Sequence, residues 1–252
     1  MRIDEHVDRL SEEGRRLVEL VAAADLGATV PTCPEWSVGE LARHVGRVHR
    51  WAATYVRDGR PDAMSDDEEE AAWGAMPDDK HLVAWLAEGH AALVDVLRSA
   101  PADWDCWSFL PAPSPVAFWA RRQHHETAIH RIDAAAAVCP DATDGGVPVE
   151  SAVDGVDELL LAFFSRPGNR VRTTGPRTLA VVASDVNAYW LVTAGPDGCR
   201  AERTDSAPAA DTEVRGPAVA LYSGLWNRSA LTFTGDEELA RIWRERARIR
   251  WS

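Results

Sequence analysis

Apolar residues recur at three- and four-residue steps through four stretches of the first 140 residues, the pattern of amphipathic helices packed on a common core. In the first stretch, about 4–25, Val7, Leu10, Leu17, Leu20, Val21 and Ala24 share one side. A breaker segment, 27–34, follows. The second starts at Ser37, where Ser37-Val-Gly-Glu40 has the form of a capping box, and runs to about residue 57 with Val38, Leu41, Val45, Val48 and Ala52 inward. The third, 79–98, turns Leu82, Val83, Leu86, Ala87, His90, Leu93, Val94 and Leu97 to its buried side. A Pro- and Trp-rich connection, 101–115, leads to the fourth, 115–138. Residues 58–78 are rich in Asp, Glu, Gly and Pro, and the five consecutive acids at 66–70 read as a solvated loop. Four helices with polar connections predict a bundle, whose interior commonly houses metal sites.

Beyond Pro140 the texture changes. Residues 141–146 read as a linker and 149–164 as another amphipathic helix. Strand signals follow at 177–183, 189–193 and 200–203, the last after the turn Gly195-Pro-Asp-Gly198. Residues 216–227 and 236–248 look helical, with a short strand at 231–233 between them. The expected fold class is α plus α+β: a four-helix bundle over 1–140 and a small α+β domain over 149–252.

Charge supports that division. Of 252 residues, 40 are acidic and 27 basic, a net charge of −13. Residues 1–149 hold 26 acids against 14 bases, and 150–252 hold 14 against 13. An acidic chain with no basic stripe is a poor partner for nucleic acid or anionic membranes. The four cysteines, Cys33, Cys106, Cys139 and Cys199, lie far apart with no CxxC pair, which fits a reducing compartment. The charged N-terminus lacks a signal peptide's apolar core, and no apolar run reaches the roughly 18–20 residues that span a bilayer. A cytoplasmic location is expected. All but one of the basic residues are arginine, as in products of GC-rich genomes.

The segment most able to carry chemistry is W-A-R-R-Q-H-H-E-T-A-I-H-R-I-D over residues 119–133. On a helix Glu126 and His130 project from one face, their Cβ atoms about 5–6 Å apart. One carboxylate and one imidazole at that spacing can share a divalent cation. His124 and His125 lie six and five positions from His130 and are rotated off its face. A third ligand can come from the second helix at His44, whereas His49 points about 140° away from it. The candidate set is His44, Glu126 and His130, which leaves a coordination position open as catalytic metals require. Asp133 could orient His130 or simply lie exposed at the helix end. A Glu/His pair at this spacing is also common on helix surfaces.

Residues 30–44, V-P-T-C-P-E-W-S-V-G-E-L-A-R-H, together with 125–134, H-E-T-A-I-H-R-I-D-A, resemble the mycothiol-dependent maleylpyruvate isomerase family. The N-terminal domain of that family belongs to the DinB-like four-helix metal-binding superfamily. Residues 215–228, R-G-P-A-V-A-L-Y-S-G-L-W-N-R, with Gly235-Asp236, resemble its second, sterol-carrier-like domain, so the likeness covers nearly the whole chain. The resemblance implies that His44, Glu126 and His130 bind a metal, usually zinc. It also implies mycothiol, an actinobacterial thiol, as cosubstrate. By the same resemblance Arg228 matches an active-site arginine, against the simpler reading of a surface arginine after a helix.

Zinc held by three ligands can take a thiolate that adds to an electrophilic small molecule, giving isomerisation or transfer. Arg122, Arg131 or Arg228 could meet substrate carboxylates. An S-transferase is the enzymatic alternative, and a non-catalytic metal-containing binding or regulatory protein the non-enzymatic one. No G-x-S-x-G elbow, Walker loop or G-x-G-x-x-G fingerprint is present. Cys33, near the start of the second helix, could be reactive, but its place in the family motif points to packing. Most of the eleven tryptophans, among them Trp36, Trp51, Trp85 and Trp119, read as core material.

Overall fold

The amphipathic stretches become α1 (Ile3–Ala23), α2 (Val38–Asp58), α4 (Leu82–Ser99) and α5 (Pro115–Val138), joined by β1 (Thr29–Val30), β2 (Cys33–Ser37) and α3 (Asp66–Trp73). The computed structural model describes residues 1–139, 146–166 and 168–249. It divides into two units, 1–145 and 146–252. Nearly all of the expected 141–146 linker lies outside the described residues.

In the first unit α1 packs against α5 and α4, and α2 packs against the same two helices. α1 and α5 run parallel, because His6 meets His124 and, seven residues further along both helices, Glu13 meets Arg131. The shared core holds Leu17, Val21, Val38, Leu41, Val45, Leu82, Leu86 and Ala134. Elsewhere in the bundle Tyr55 stacks on Trp107 and Trp119, with centroids 4.9 and 5.1 Å apart, and Trp51 meets Trp119 edge-on at 5.0 Å. The Trp119 indole donates to the Trp107 carbonyl at 2.8 Å.

Two local expectations are corrected. The acidic run at 66–70 is the start of α3, not a loop. Ser65 caps it reciprocally with Glu68, and four acids in the first turn complement the positive helix end. The breaker segment also contains the small β1–β2 hairpin, which pairs Val30 with Cys33.

The second unit starts with α6 (Val149–Asp157), which continues as a π-helical turn over Glu158–Phe163. β3 (Arg177–Ala183), β4 (Ala188–Gly195) and β5 (Gly198–Thr204) form an antiparallel meander. β6 (Thr212–Gly216), absent from the sequence reading, pairs parallel with β3. The short strand expected at 231–233 appears as β7 (Phe233–Gly235) on the far side of β6, giving the order β5-β4-β3-β6-β7. α7 (Ala218–Leu225) and α8 (Glu237–Arg246) complete the unit. α6 is pinned to the sheet through Asp157, which accepts from the Trp190 indole at 2.7 Å and from both Arg203 Nε and Nη2. Among the described residues no helix is long and apolar enough to cross a membrane.

Two stability predictions follow from the bundle interior. A Cβ at Gly46 would stand 2.0 Å from the Trp85 ring. Gly→Ala inside a helix usually stabilises by about 1 kcal/mol, but this overpacking reverses the sign, with an expected net loss of about 1–2 kcal/mol in urea unfolding. Trp85→Leu in the same chain should suppress the loss. The second concerns His49, which is fully buried against the Thr127 hydroxyl at 2.9 Å and which burial, with His90 nearby, holds well below the usual imidazole value. Its contribution is therefore complete above about pH 6.5 and is lost as the pH falls below that value. The slope is about 1.4 kcal/mol per pH unit until the native imidazole itself charges. Unfolding free energies between pH 7.5 and 5.5 should fall less steeply in His49→Gln than in the wild type.

Candidate metal centre

The capping box at Ser37 sets the phase of α2: the Ser37 hydroxyl accepts from Glu40 N at 3.2 Å, and Glu40 accepts from Ser37 N at 2.7 Å. Seven residues on, His44 faces α5. On α5 the four-residue step brings Glu126 and His130 onto that same face. Glu126 Oε1 lies 3.4 Å from His44 Nε2 and 3.2 Å from His130 Nε2. One ligand atom from each of the three residues lies within 4.8 Å of the others. Two ligand atoms each about 2.0–2.1 Å from a tetrahedral ion stand about 3.3–3.4 Å apart. Both the spacing and the two-imidazole, one-carboxylate chemistry therefore suit zinc.

The surroundings fix these side chains. Asp133, fully buried, accepts from His130 Nδ1 at 2.9 Å and from the Thr32 hydroxyl at 2.6 Å. Holding the Nδ1 proton leaves His130 Nε2 directed at Glu126. Arg122 Nη2 donates to Glu126 Oε2 at 3.1 Å, which keeps the other carboxylate oxygen for the imidazoles. Trp36, at the end of β2, packs its ring 4.8 Å from that of His44 and 6.0 Å from that of His130. His44 keeps 29% of its side chain exposed against 8–9% for Glu126 and His130, so the cluster opens to solvent on the α2 side.

Electrostatics follow from this crowding. Burial acts to raise the Glu126 carboxyl, but hydrogen bonds from His130 and His44 and the charges of His130 and Arg122 outweigh it and hold the group well below the usual carboxylate range. Burial acts to lower His130, and the hydrogen bonds and charges of Asp133 and Glu126 overcome it, raising the imidazole to about 9.

Of the other sequence candidates, Arg122 reaches the cluster through Glu126, and each of the rest has its own surroundings. Arg122 and Arg131 are both engaged in buried ion pairs, with Glu126 and Glu13. Arg228 lies in the second unit just past α7, where its Nη1 donates to the Trp226 carbonyl at 2.9 Å. Cys33 Sγ stands 3.9 Å from Asp133 Oδ2. Burial pushes the Cys106 thiol up to about 11 and Cys199 up to about 12. Sequence reasoning missed Thr32 and the role of Trp36. The only signal for either was its place in the motif before His44. His124 and His125 face away from the cluster, toward His6 on α1.

The family model described as the mycothiol maleylpyruvate isomerase N-terminal domain matches residues 7–135, and the one described as the C-terminal domain of the same family matches residues 150–241. No curated protein matches. Two crystal structures share the fold, one of the mycothiol-dependent maleylpyruvate isomerase and one of a histidine-to-alanine mutant of it. Their TM-scores are 0.63 and 0.64 at 14% identity, over 94% of this chain and 95% of theirs. With both domain models matched in order over most of its length, the chain belongs to the mycothiol-dependent maleylpyruvate isomerase family, a family of enzymes.

Proposed function

We propose that the protein is a zinc- and mycothiol-dependent enzyme that isomerises a small electrophilic substrate through thiol addition, with His44, Glu126 and His130 as the metal ligands. The observation that carries this reading is the convergence of the three ligand atoms at an opening of the bundle, in a chain of this family. When bound there, zinc would acidify a thiol and supply a thiolate near neutral pH.

The chain's own residues prepare the place. Asp133 holds the Nδ1 proton of His130, Arg122 fixes Glu126, and the Trp36 ring shields both imidazoles from water on one side. The exposed edge of His44 leaves a way in. Arg228 enters the reading through the family resemblance alone, as the arginine for a substrate carboxylate. The reading keeps the metal chemistry within residues 1–140, places the protein in the cytoplasm, and needs neither nucleic acid nor membrane as partner.

Purified protein supplied with zinc, mycothiol and a panel of electrophiles, maleylpyruvate among them, tests it. Isomerised product without thiol consumption supports the isomerase. A thioether product favours the S-transferase, and absence of thiol binding favours a metal-containing binding or regulatory protein.

Two variants sharpen the assignment. His130→Ala should lose zinc and turnover together; stoichiometric zinc with full activity would sink the ligand set. Asp133→Asn keeps the shape but weakens the acceptor for the Nδ1 proton, and zinc affinity in a competition titration should fall about 10–100-fold. The fold should remain intact by circular dichroism.

A further inference from the structure

The face of α5 that meets α1 carries a second group of imidazoles. His124 and His125 are fully buried, and His6, in the first turn of α1, is 4% exposed. One ligand atom from each of the three lies within 4.8 Å of the others. His6 Nδ1 and His124 Nδ1 stand 3.1 Å apart. That is close to the roughly 3.3–3.4 Å between two nitrogens bound to one tetrahedral ion. The rings of His124 and His125 stack at 4.4 Å, and His6 meets His125 edge-on at 6.0 Å.

Packing alone gives no reason for this trio. Apolar side chains would fill the α1–α5 seam without desolvating three imidazoles, and the rest of the interior shows how readily this chain supplies them. Two Nδ1 atoms that face each other must also adopt opposite roles, one as donor and one as acceptor, whereas a shared cation accepts a lone pair from both. The site is distinct from the centre at His44. His125 and Glu126 are consecutive residues, rotated about 100° from each other on the helix, so one meets α1 and the other α2.

We propose that His6, His124 and His125 form a second, buried site for a divalent transition-metal ion. Three imidazole ligands favour zinc, copper, nickel or cobalt over magnesium or calcium, which prefer oxygen ligands. The proposal stands independently of the reading given to the first centre.

Cobalt(II) titration of the metal-stripped full chain tests it, followed by the visible spectrum and by metal analysis after desalting. The wild type should retain two equivalents, His6→Gln one, and His130→Ala the other one. His6→Cys guards against a variant that merely misfolds: a folded chain holding cobalt here should gain a cobalt–thiolate charge-transfer band that the wild type lacks. Saturation of the wild type at a single equivalent that His130→Ala abolishes would overturn the second site. So would two equivalents retained in His6→Gln, or a folded His6→Cys chain without the new band. A single equivalent lost in His6→Gln but kept in His130→Ala would sustain this site and sink the first.

Discussion

Helix α5 buries polar side chains along most of its length, and the bundle is arranged around that constraint. Arg122, Gln123, His124, His125, Glu126, Thr127, His130, Arg131 and Asp133 are all buried. An unpaired charge in such a place costs several kcal/mol, so each neighbouring element must present a matching group. α1 offers His6 and Glu13, α2 offers His44 and His49, and the segment before α2 offers Thr32. The parallel run of α1 beside α5 is what lets His6 and Glu13 meet partners at the same seven-residue step. A shift of α1 by one residue would break both contacts at once.

This accounts for what the sequence revealed and what it hid. Glu126 and His130 are legible because a four-residue step on one helix needs no tertiary information, and His44 because it lies at the edge of the apolar stripe of a second helix. His6 was hidden because its partner lies 118 residues away and because it sits within an ordinary amphipathic pattern. Asp133 was ambiguous for a similar reason: only the neighbouring β1–β2 segment, bringing Thr32, decides that it is buried. The charge run of α3 reads as solvation in the sequence, whereas acids in a first turn after a capping serine also stabilise a helix start. β6 escaped because five residues, Thr-Glu-Val-Arg-Gly, give too short an alternation to stand out. Its pairing beside β3 comes from the sheet, not from its own propensity.

The two clusters on α5 differ in their donor atoms, and that difference separates their chemistry. Glu126 and Asp133 both lie within hydrogen-bond distance of His130, and the Arg122 guanidinium pairs with Glu126. Asp133 and Glu126 raise the His130 imidazole to about 9 against the opposing effect of burial. A divalent cation held by His44, Glu126 and His130 would meet one carboxylate and two imidazoles, and its binding would be coupled to pH. The trio at His6 contributes no carboxylate of its own. A cation there relies on lone-pair donation from nitrogen, in a place closed to water, which makes ligand type rather than charge the selective term. One helix thus presents an open, anionic cluster suited to exchange and chemistry on its α2 face. On its α1 face it presents a buried cluster of three imidazoles, whose proposed occupant would tie α1 to α5.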